Sequence, residues 1–86
     1  MKDNRYKAVK SLIETNSFKK LIDVFEIVPI SVVRIEVKMN YNTLQRRVTN
    51  PELLTAKDIN ALAELFEVEP NLILSLAIAG FKKVKK

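Results

Sequence analysis

The segment from residue 40 to residue 51 constrains the fold of this chain most strongly, because both of its ends carry helix-boundary signals. Asn40 is a favourable N-cap residue, and Pro51 biases the residue before it away from helical backbone angles. A short helix is therefore predicted between them, with an apolar face turned inward and a polar face turned outward. The apolar face comprises Tyr41, Leu44 and Val48.

The composition limits both the size and the chemistry of the protein. With 86 residues, 48% of them hydrophobic, the chain can form one globular domain. One glycine and three prolines argue against a turn-rich all-β fold. The lack of cysteine and histidine removes the common nucleophile–base pairs and nearly every zinc site. We therefore expect a protein that is not an enzyme, with no cofactor, no metal ion and no evident small-molecule substrate.

The formal net charge of +5 is concentrated near the two ends of the chain. Six basic residues fall within residues 1–20, and residues 81–86 read Phe-Lys-Lys-Val-Lys-Lys. This balance favours a polyanionic partner, nucleic acid or an anionic membrane alike, although charged ends that only solubilise the protein fit equally well. No secretory signal is visible, and the longest apolar run is shorter than the roughly 20 residues that span a bilayer. We expect a soluble, cytoplasmic protein.

Upstream of residues 40–51, apolar residues at helical spacing predict further helices. A first helix should end near residues 15–17, and Ser17 should cap the second. Pro29 is well placed as the first residue of a third. The two predicted apolar stripes are Tyr6, Val9 and Ile13, then Phe18, Leu21, Ile22 and Phe25.

Downstream, Thr55 and Asp58 form a capping sequence with an acidic residue in the first helical turn. A last helix should open at Pro70 and close at Gly80. The stripe of the capped helix is Ile59, Leu62, Ala63 and Phe66.

Residues 33–39 give two conflicting signals. Apolar and charged residues alternate strictly and β-branched types dominate, which is typical of a half-buried strand. Val33 and Val37, with Ile30 one turn earlier, also fit one face of a helix. A β-branched residue costs a helix at most about 0.5 kcal/mol relative to alanine, so packing can override the preference. Local rules leave this segment open.

The stretch from about residue 18 to residue 79 resembles the phage-repressor-like (Cro/repressor-type) helix-turn-helix domain. The order of parts carries the resemblance: a striped helix, a short helix opened by Pro29, and a turn at residues 38–40. The sequence Asn-Tyr-Asn-Thr-Leu-Gln-Arg-Arg-Val-Thr-Asn-Pro follows, and then a helix capped at Thr55.

This resemblance implies an all-α fold, a compact, lambda-repressor-like bundle of about five helices containing a helix-turn-helix. It also implies that residues 30–38 are helical and that residues 41–49 are the recognition helix. The chain then divides into an N-terminal amphipathic helix at residues 1–16, the helix-turn-helix domain at residues 17–80 and a basic tail at residues 81–86.

Two residues depart from the family pattern. Arg34 stands where a small residue usually lies at the crossing of the second and third helices, and a guanidinium cannot be buried unpaired. Lys38 stands in the turn where glycine is usual, because the backbone there is left-handed. A non-glycine residue in that conformation costs on the order of 1 kcal/mol.

The resemblance implies a sequence-specific, repressor-like transcriptional regulator that binds double-stranded DNA, with residues 41–49 in the major groove. Arg46 can pair bidentately with guanine, and Asn42 or Gln45 with adenine. The expected base contacts are Asn42, Gln45, Arg46 and Thr49. The expected backbone contacts are Ser31, Tyr41, Thr43 and Arg47, with Tyr41 reaching DNA only if it points outward rather than into the core.

Other interpretations of these features stay open. The polar side of residues 41–49 also fits an ordinary solvated helix surface. A protein-interaction module that keeps the scaffold but has lost specific DNA binding is the main alternative function. A third is a peripheral membrane protein that uses residues 72–81 and the lysine tail.

The last predicted helix is apolar nearly all round and must be covered on more than one side. We expect a homodimer through this helix, at Leu72, Leu76 and Ile78, because dimers that bind palindromic half-sites are usual for this motif. The alternative is that the first helix, residues 3–15, covers it within one chain.

Overall fold

A computed structural model describes residues 4–80, and every regular element in that range is helical. The predicted all-α bundle is thereby confirmed. No helix in the described range is long and apolar enough to cross a membrane. In chain order the elements are α1 (Asn4–Glu14), α2 (Leu21–Val24), α3 (Ile30–Glu36), α4 (Tyr41–Thr49), a 3-10 turn (Pro51–Leu53), α5 (Ala56–Phe66) and α6 (Pro70–Ala79).

One hydrophobic core receives side chains from all six α-helices. α1 contributes Tyr6, Val9 and Ile13, which is the stripe predicted for the first helix. The ring of Tyr6 meets that of Phe66 in α5 edge-on, with centroids 5.9 Å apart and an interplanar angle of 62°. Aromatic quadrupoles favour this geometry. α1 is therefore part of the same core as the later helices.

Residues 33–36 of the ambiguous segment belong to helix α3, so the strand interpretation is wrong. The helix ends two residues before the expected residue 38, and residues 37–38 form a turn. Val33 is completely buried, and Ile30 and Val37 are half-buried against the core. Ile35 lies on the other side of the alternating pattern and is 61% exposed. Burying one helical face outweighs the small cost of β-branched residues in a helix. Pro29 is the N-cap of α3 and not its first residue, so the helix begins one residue later than predicted, at Ile30.

α2 is shorter than the stripe that predicted it. The stripe covers residues 18–25, but only Leu21–Val24 is helical. Ser17 does not cap this helix, because its hydroxyl pairs with another hydroxyl of the preceding turn. The first turn is closed instead by Asp23, whose carboxylate accepts a hydrogen bond from the backbone N–H of Lys20 at 3.2 Å.

The capping box predicted for α5 is present. The Thr55 hydroxyl accepts from the backbone N–H of Asp58 at 3.1 Å, and the Asp58 carboxylate accepts from the backbone N–H of Thr55 at 3.1 Å. Two N–H groups that lack helical partners are thereby satisfied. The predicted stripe packs inward, with Leu62, Ala63 and Phe66 buried and Ile59 half-buried.

α6 begins at Pro70 and is followed by Gly80, as predicted. Gly80 has a φ of −94°, however, so it does not supply the left-handed backbone that favours glycine at helix ends. The absence of a side chain at Gly80 instead allows it to lie close to Pro51. A Cβ atom at Gly80 would lie 3.0 Å from Cγ of Pro51, in the 3-10 turn after α4.

The exposed side of α6 differs from the predicted one. Leu76 is only 7% exposed, and Leu72 is half-buried against the core. Ile13 of α1 lines the same groove as Leu72 and Leu76, so α1 lies beside that side of the helix. The large apolar residues of α6 left in solvent are Leu74 at 40% and Ile78 at 52% exposed. Of the three residues predicted for a dimer contact, Ile78 alone is exposed.

Candidate nucleic-acid interface

The bounds of α4 follow from local hydrogen bonds at its two ends. The side chain of Asn40 accepts from the backbone N–H of Asn42 at 2.8 Å, as an N-cap residue does. At the other end, Asn50 donates to the carbonyl of Arg46 through its backbone N–H at 2.9 Å and its side-chain amide at 3.3 Å. Pro51 follows at once, so α4 runs from Tyr41 to Thr49 as predicted.

α4 has one face in the core and one in solvent. Leu44 and Val48 are completely buried, which confirms their predicted role. All four predicted base-contacting side chains are exposed, and their positions follow the i, i+3, i+4, i+7 spacing of one helical face. We call this set the polar stripe. It consists of Asn42, Gln45, Arg46 and Thr49.

Tyr41 does not pack into the core, so the inward prediction is wrong. Its side chain is 41% exposed, although it shares a helical face with Leu44 and Val48. Tyr41 is the first residue of α4, about one helical turn before the buried Leu44. The outward alternative, in which Tyr41 is available to a partner, is the one that fits.

The remaining predicted backbone contacts lie in three different environments. Ser31 is exposed in the first turn of α3, and Thr43 is half-buried on the side of α4 next to the polar stripe. Arg47 is half-buried and already paired. Its Nη1 atom donates to Oδ2 of Asp58 at 2.7 Å. Arg47 is therefore engaged with Asp58, and the phosphate contact expected of it stays a prediction.

Asp58 is the residue at this surface that sequence reasoning missed as a partner of α4. The capping pattern Thr55-x-x-Asp58 identified its role at the start of α5, and the structure adds a cation from 11 residues earlier. Asp58 is the only buried charged residue among residues 4–80, at 8% exposed. A buried carboxylate calls for a cationic partner, but the sequence alone does not say which cation supplies it.

The turn between α3 and α4 is left-handed at Lys38, as the family pattern implied. Lys38 has a φ of 58°. Its N–H donates to the carbonyl of Ile35 at 3.3 Å, and the N–H of Met39 donates to that of Arg34 at 2.9 Å. These two bonds form the Schellman arrangement that ends many helices. The turn thus adopts its usual geometry without glycine.

Arg34 is exposed, so its guanidinium is not buried in the crossing between α3 and α4. Val33 supplies the buried contact of α3 instead. Arg34, Lys38 and Arg46 are all exposed, and α3 packs directly against α4. The contact between α3 and α4 is therefore formed without burying the Arg34 guanidinium.

No group of three or more side chains that could hold a metal ion occurs in the described part of the chain. Comparison with known proteins adds no assignment, because no protein-family model, curated protein or solved structure matches this chain. The evidence on function therefore comes from the chain's own residues.

Proposed function

We propose that this protein is a sequence-specific DNA-binding transcriptional regulator whose α4 lies in the major groove. The observation that supports it most is the polar stripe, which offers amide, guanidinium and hydroxyl groups along one solvent-exposed face. A major groove admits one α-helix, and these groups can form the hydrogen bonds by which base edges are distinguished. Such a role implies a cytoplasmic protein of a bacterium or phage.

Each member of the stripe has a distinct task in this proposal. Arg46 pairs with guanine O6 and N7, and Asn42 or Gln45 pairs with adenine N6 and N7. Thr49 contacts a base near the end of α4. Ser31, Tyr41 and Thr43 bind phosphates and set the register of the protein on the duplex. Each good base pairing contributes roughly 1–3 kcal/mol of discrimination.

The protein acts as a homodimer in this proposal, with two copies binding two half-sites of a palindrome. The exposed apolar side of α6 supports the contact, and its centre is Leu74 and Ile78 rather than the buried Leu76. These two residues are four positions apart and therefore lie on one helical face.

One observation favours the alternative, a protein-interaction module without specific DNA binding. Ile35 of α3 is the most exposed large hydrophobic residue in the described range, at 61%. An apolar side chain beside the turn before α4 suits a protein partner better than a phosphate backbone. That partner would bind with little dependence on salt, whereas DNA binding weakens steeply as salt rises.

The deciding experiment is selection of bound duplexes from a random DNA pool at near-physiological salt. We expect enrichment of a pseudo-palindrome, and we expect Arg46→Ala and Gln45→Ala to weaken binding to it. The matched control is Arg46→Lys, which keeps the charge but lacks the rigid planar fork of the guanidinium, so it should lose discrimination more than affinity. Retention without enrichment would reduce the function to backbone-directed binding. No retention would contradict DNA binding and favour the protein-interaction module.

A further inference from the structure

We propose that Arg47 is a positioning residue that holds α4 in its DNA-binding orientation through Asp58 and makes no phosphate contact itself. This inference rests on the proposed function for its DNA-binding readout, but its structural part is testable without DNA. It assigns Arg47 a role different from the one its charge and position suggest in the sequence.

The contact joins two helices through one oxygen atom. Oδ2 of Asp58 accepts from Nη1 of Arg47 at 2.7 Å and from the backbone N–H of Thr55 at 3.1 Å. The backbone N–H of Asp58 in turn donates to the Thr55 hydroxyl at 3.1 Å. The carboxylate that binds Arg47 is therefore already fixed by the first turn of α5. A cation held by a fixed carboxylate is held in direction as well as in distance.

The burial of both side chains argues that Arg47 does not exchange Asp58 for a phosphate group of DNA. The side chains of Arg47 and Asp58 are 31% and 10% exposed. Turning Arg47 towards DNA would leave a buried carboxylate without its cation, which is costly. It would also leave that negative charge close to the phosphates. The pair is therefore more favourable intact when DNA is bound.

The Arg47–Asp58 contact also restrains the direction of α4, which packing in the hydrophobic core does not. Leu44 and Val48 hold α4 by apolar packing, which is not directional. The bond from Arg47 crosses the 3-10 turn and connects the second half of α4 to the start of α5. Arg46 is the adjacent residue in α4. A small rotation of α4 about its axis therefore moves the polar stripe and breaks the bond from Arg47 together.

The test compares Arg47→Ala with Asp58→Asn in DNA binding across a salt series. Asparagine at position 58 can still accept from the N–H of Thr55, so it removes the charge and keeps the cap. We expect both variants to lose at least roughly fivefold in affinity, with the slope of log affinity against log salt unchanged. The double variant should bind no worse than the weaker single variant.

A phosphate contact predicts a different pattern. Arg47→Ala would then lower the salt slope by about 0.9. Asp58→Asn would raise affinity, because it removes a negative charge near DNA. Either result would overturn the proposal. The control is Thr55→Ala, which removes the cap hydroxyl but leaves the carboxylate for Arg47, and it should keep wild-type affinity at temperatures where the protein is fully folded. An equal loss with Thr55→Ala would also overturn it.

An NMR readout separates failure of this inference from failure of the proposed function. Amide shifts of residues 45–49 should move in Arg47→Ala and in Asp58→Asn, and stay close to wild type in Thr55→Ala. If wild-type protein binds no DNA, the proposed function is wrong, and these shifts still decide whether Asp58 positions α4. Unchanged amide shifts in Asp58→Asn would contradict the inference.

Discussion

Three residues in the described range have left-handed backbone without being glycine: Asn16, Lys38 and Glu67, with φ between 58° and 61°. They lie just after α1, α3 and α5, where helices commonly end in this conformation. Asparagine tolerates it well, whereas lysine and glutamate pay a steric cost. Two helix ends therefore carry strain that a glycine would relieve.

We predict that Lys38→Gly stabilises the protein by about 0.5–1 kcal/mol, because glycine adopts positive φ without steric cost. For a domain of this size a change of 1 kcal/mol shifts Tm by about 4–8 °C. Thermal unfolding followed by circular dichroism measures it. Lys38→Ala is the matched control, because it removes the same charge and keeps the strain. Equal Tm values for the two variants would show that the left-handed backbone is not strained.

At the scale of the element, α4 combines two roles in nine residues. Leu44 and Val48 hold it in the core, while the polar stripe faces solvent. The residues of the two faces are adjacent in sequence, so substitutions one position apart should have opposite consequences. The buried face of α4 should therefore determine folding stability, and its exposed face should determine DNA affinity.

We predict that Leu44→Ala lowers the free energy of unfolding by about 2–5 kcal/mol, the usual cost of a cavity at a fully buried leucine. Gln45→Ala should change it by less than about 0.5 kcal/mol, since its side chain is exposed. Urea unfolding measures both, and DNA affinity of the folded protein should fall only for Gln45→Ala. Similar stability losses in both variants would contradict the two-faced arrangement.

The capping box of α5 allows a second test at this scale. Thr55→Ala should cost about 1 kcal/mol, because it leaves the backbone N–H of Asp58 without its acceptor. Thr55→Ser keeps the hydroxyl and should recover most of the stability. Chemical unfolding of the two variants measures the difference. Equal losses would mean that the hydroxyl contributes nothing at this helix end.

At the scale of the whole molecule, charge is unevenly distributed along the chain. Residues 59–80 contain no lysine or arginine and three glutamates: Glu64, Glu67 and Glu69. The basic residues lie before residue 59 and within residues 81–86. Residues 81–86 and residues 1–3 lie outside the described range. Under the proposed function, residues 59–80 add no attraction to DNA and are better suited to contacts between copies.

We predict that Ile78→Glu converts a homodimer to a folded monomer, because it places a charge on the exposed apolar side of α6. Leu76→Glu should instead unfold the protein, because its side chain is only 7% exposed and the new charge would have no partner. Sedimentation equilibrium gives the mass, and circular dichroism gives the folding. Asn60→Glu adds the same charge at an exposed position of α5 and should leave the dimer intact. A wild-type protein that is monomeric at high concentration would contradict the dimer.

Local sequence signals alone determined several elements. The bounds of α4 follow from Asn40 and Pro51, and the start of α5 follows from Thr55 and Asp58. These signals work because a cap or a proline acts on backbone groups within three or four residues. The same reasoning predicted the buried stripe of α1, most of that of α5, and Leu44 and Val48 of α4, since helical period places those residues on one face.

Only the tertiary structure decided which surfaces are covered. Residues 30–36 satisfy strand and helix patterns alike, and packing of Val33 into the core selects the helix. Tyr41 lies outside the core and Leu76 inside it, although both had been predicted the other way. Arg47 forms an ion pair with Asp58 on the far side of the 3-10 turn. Coverage and pairing depend on residues distant in sequence, and the period of one helix carries no information about the neighbour that packs on it.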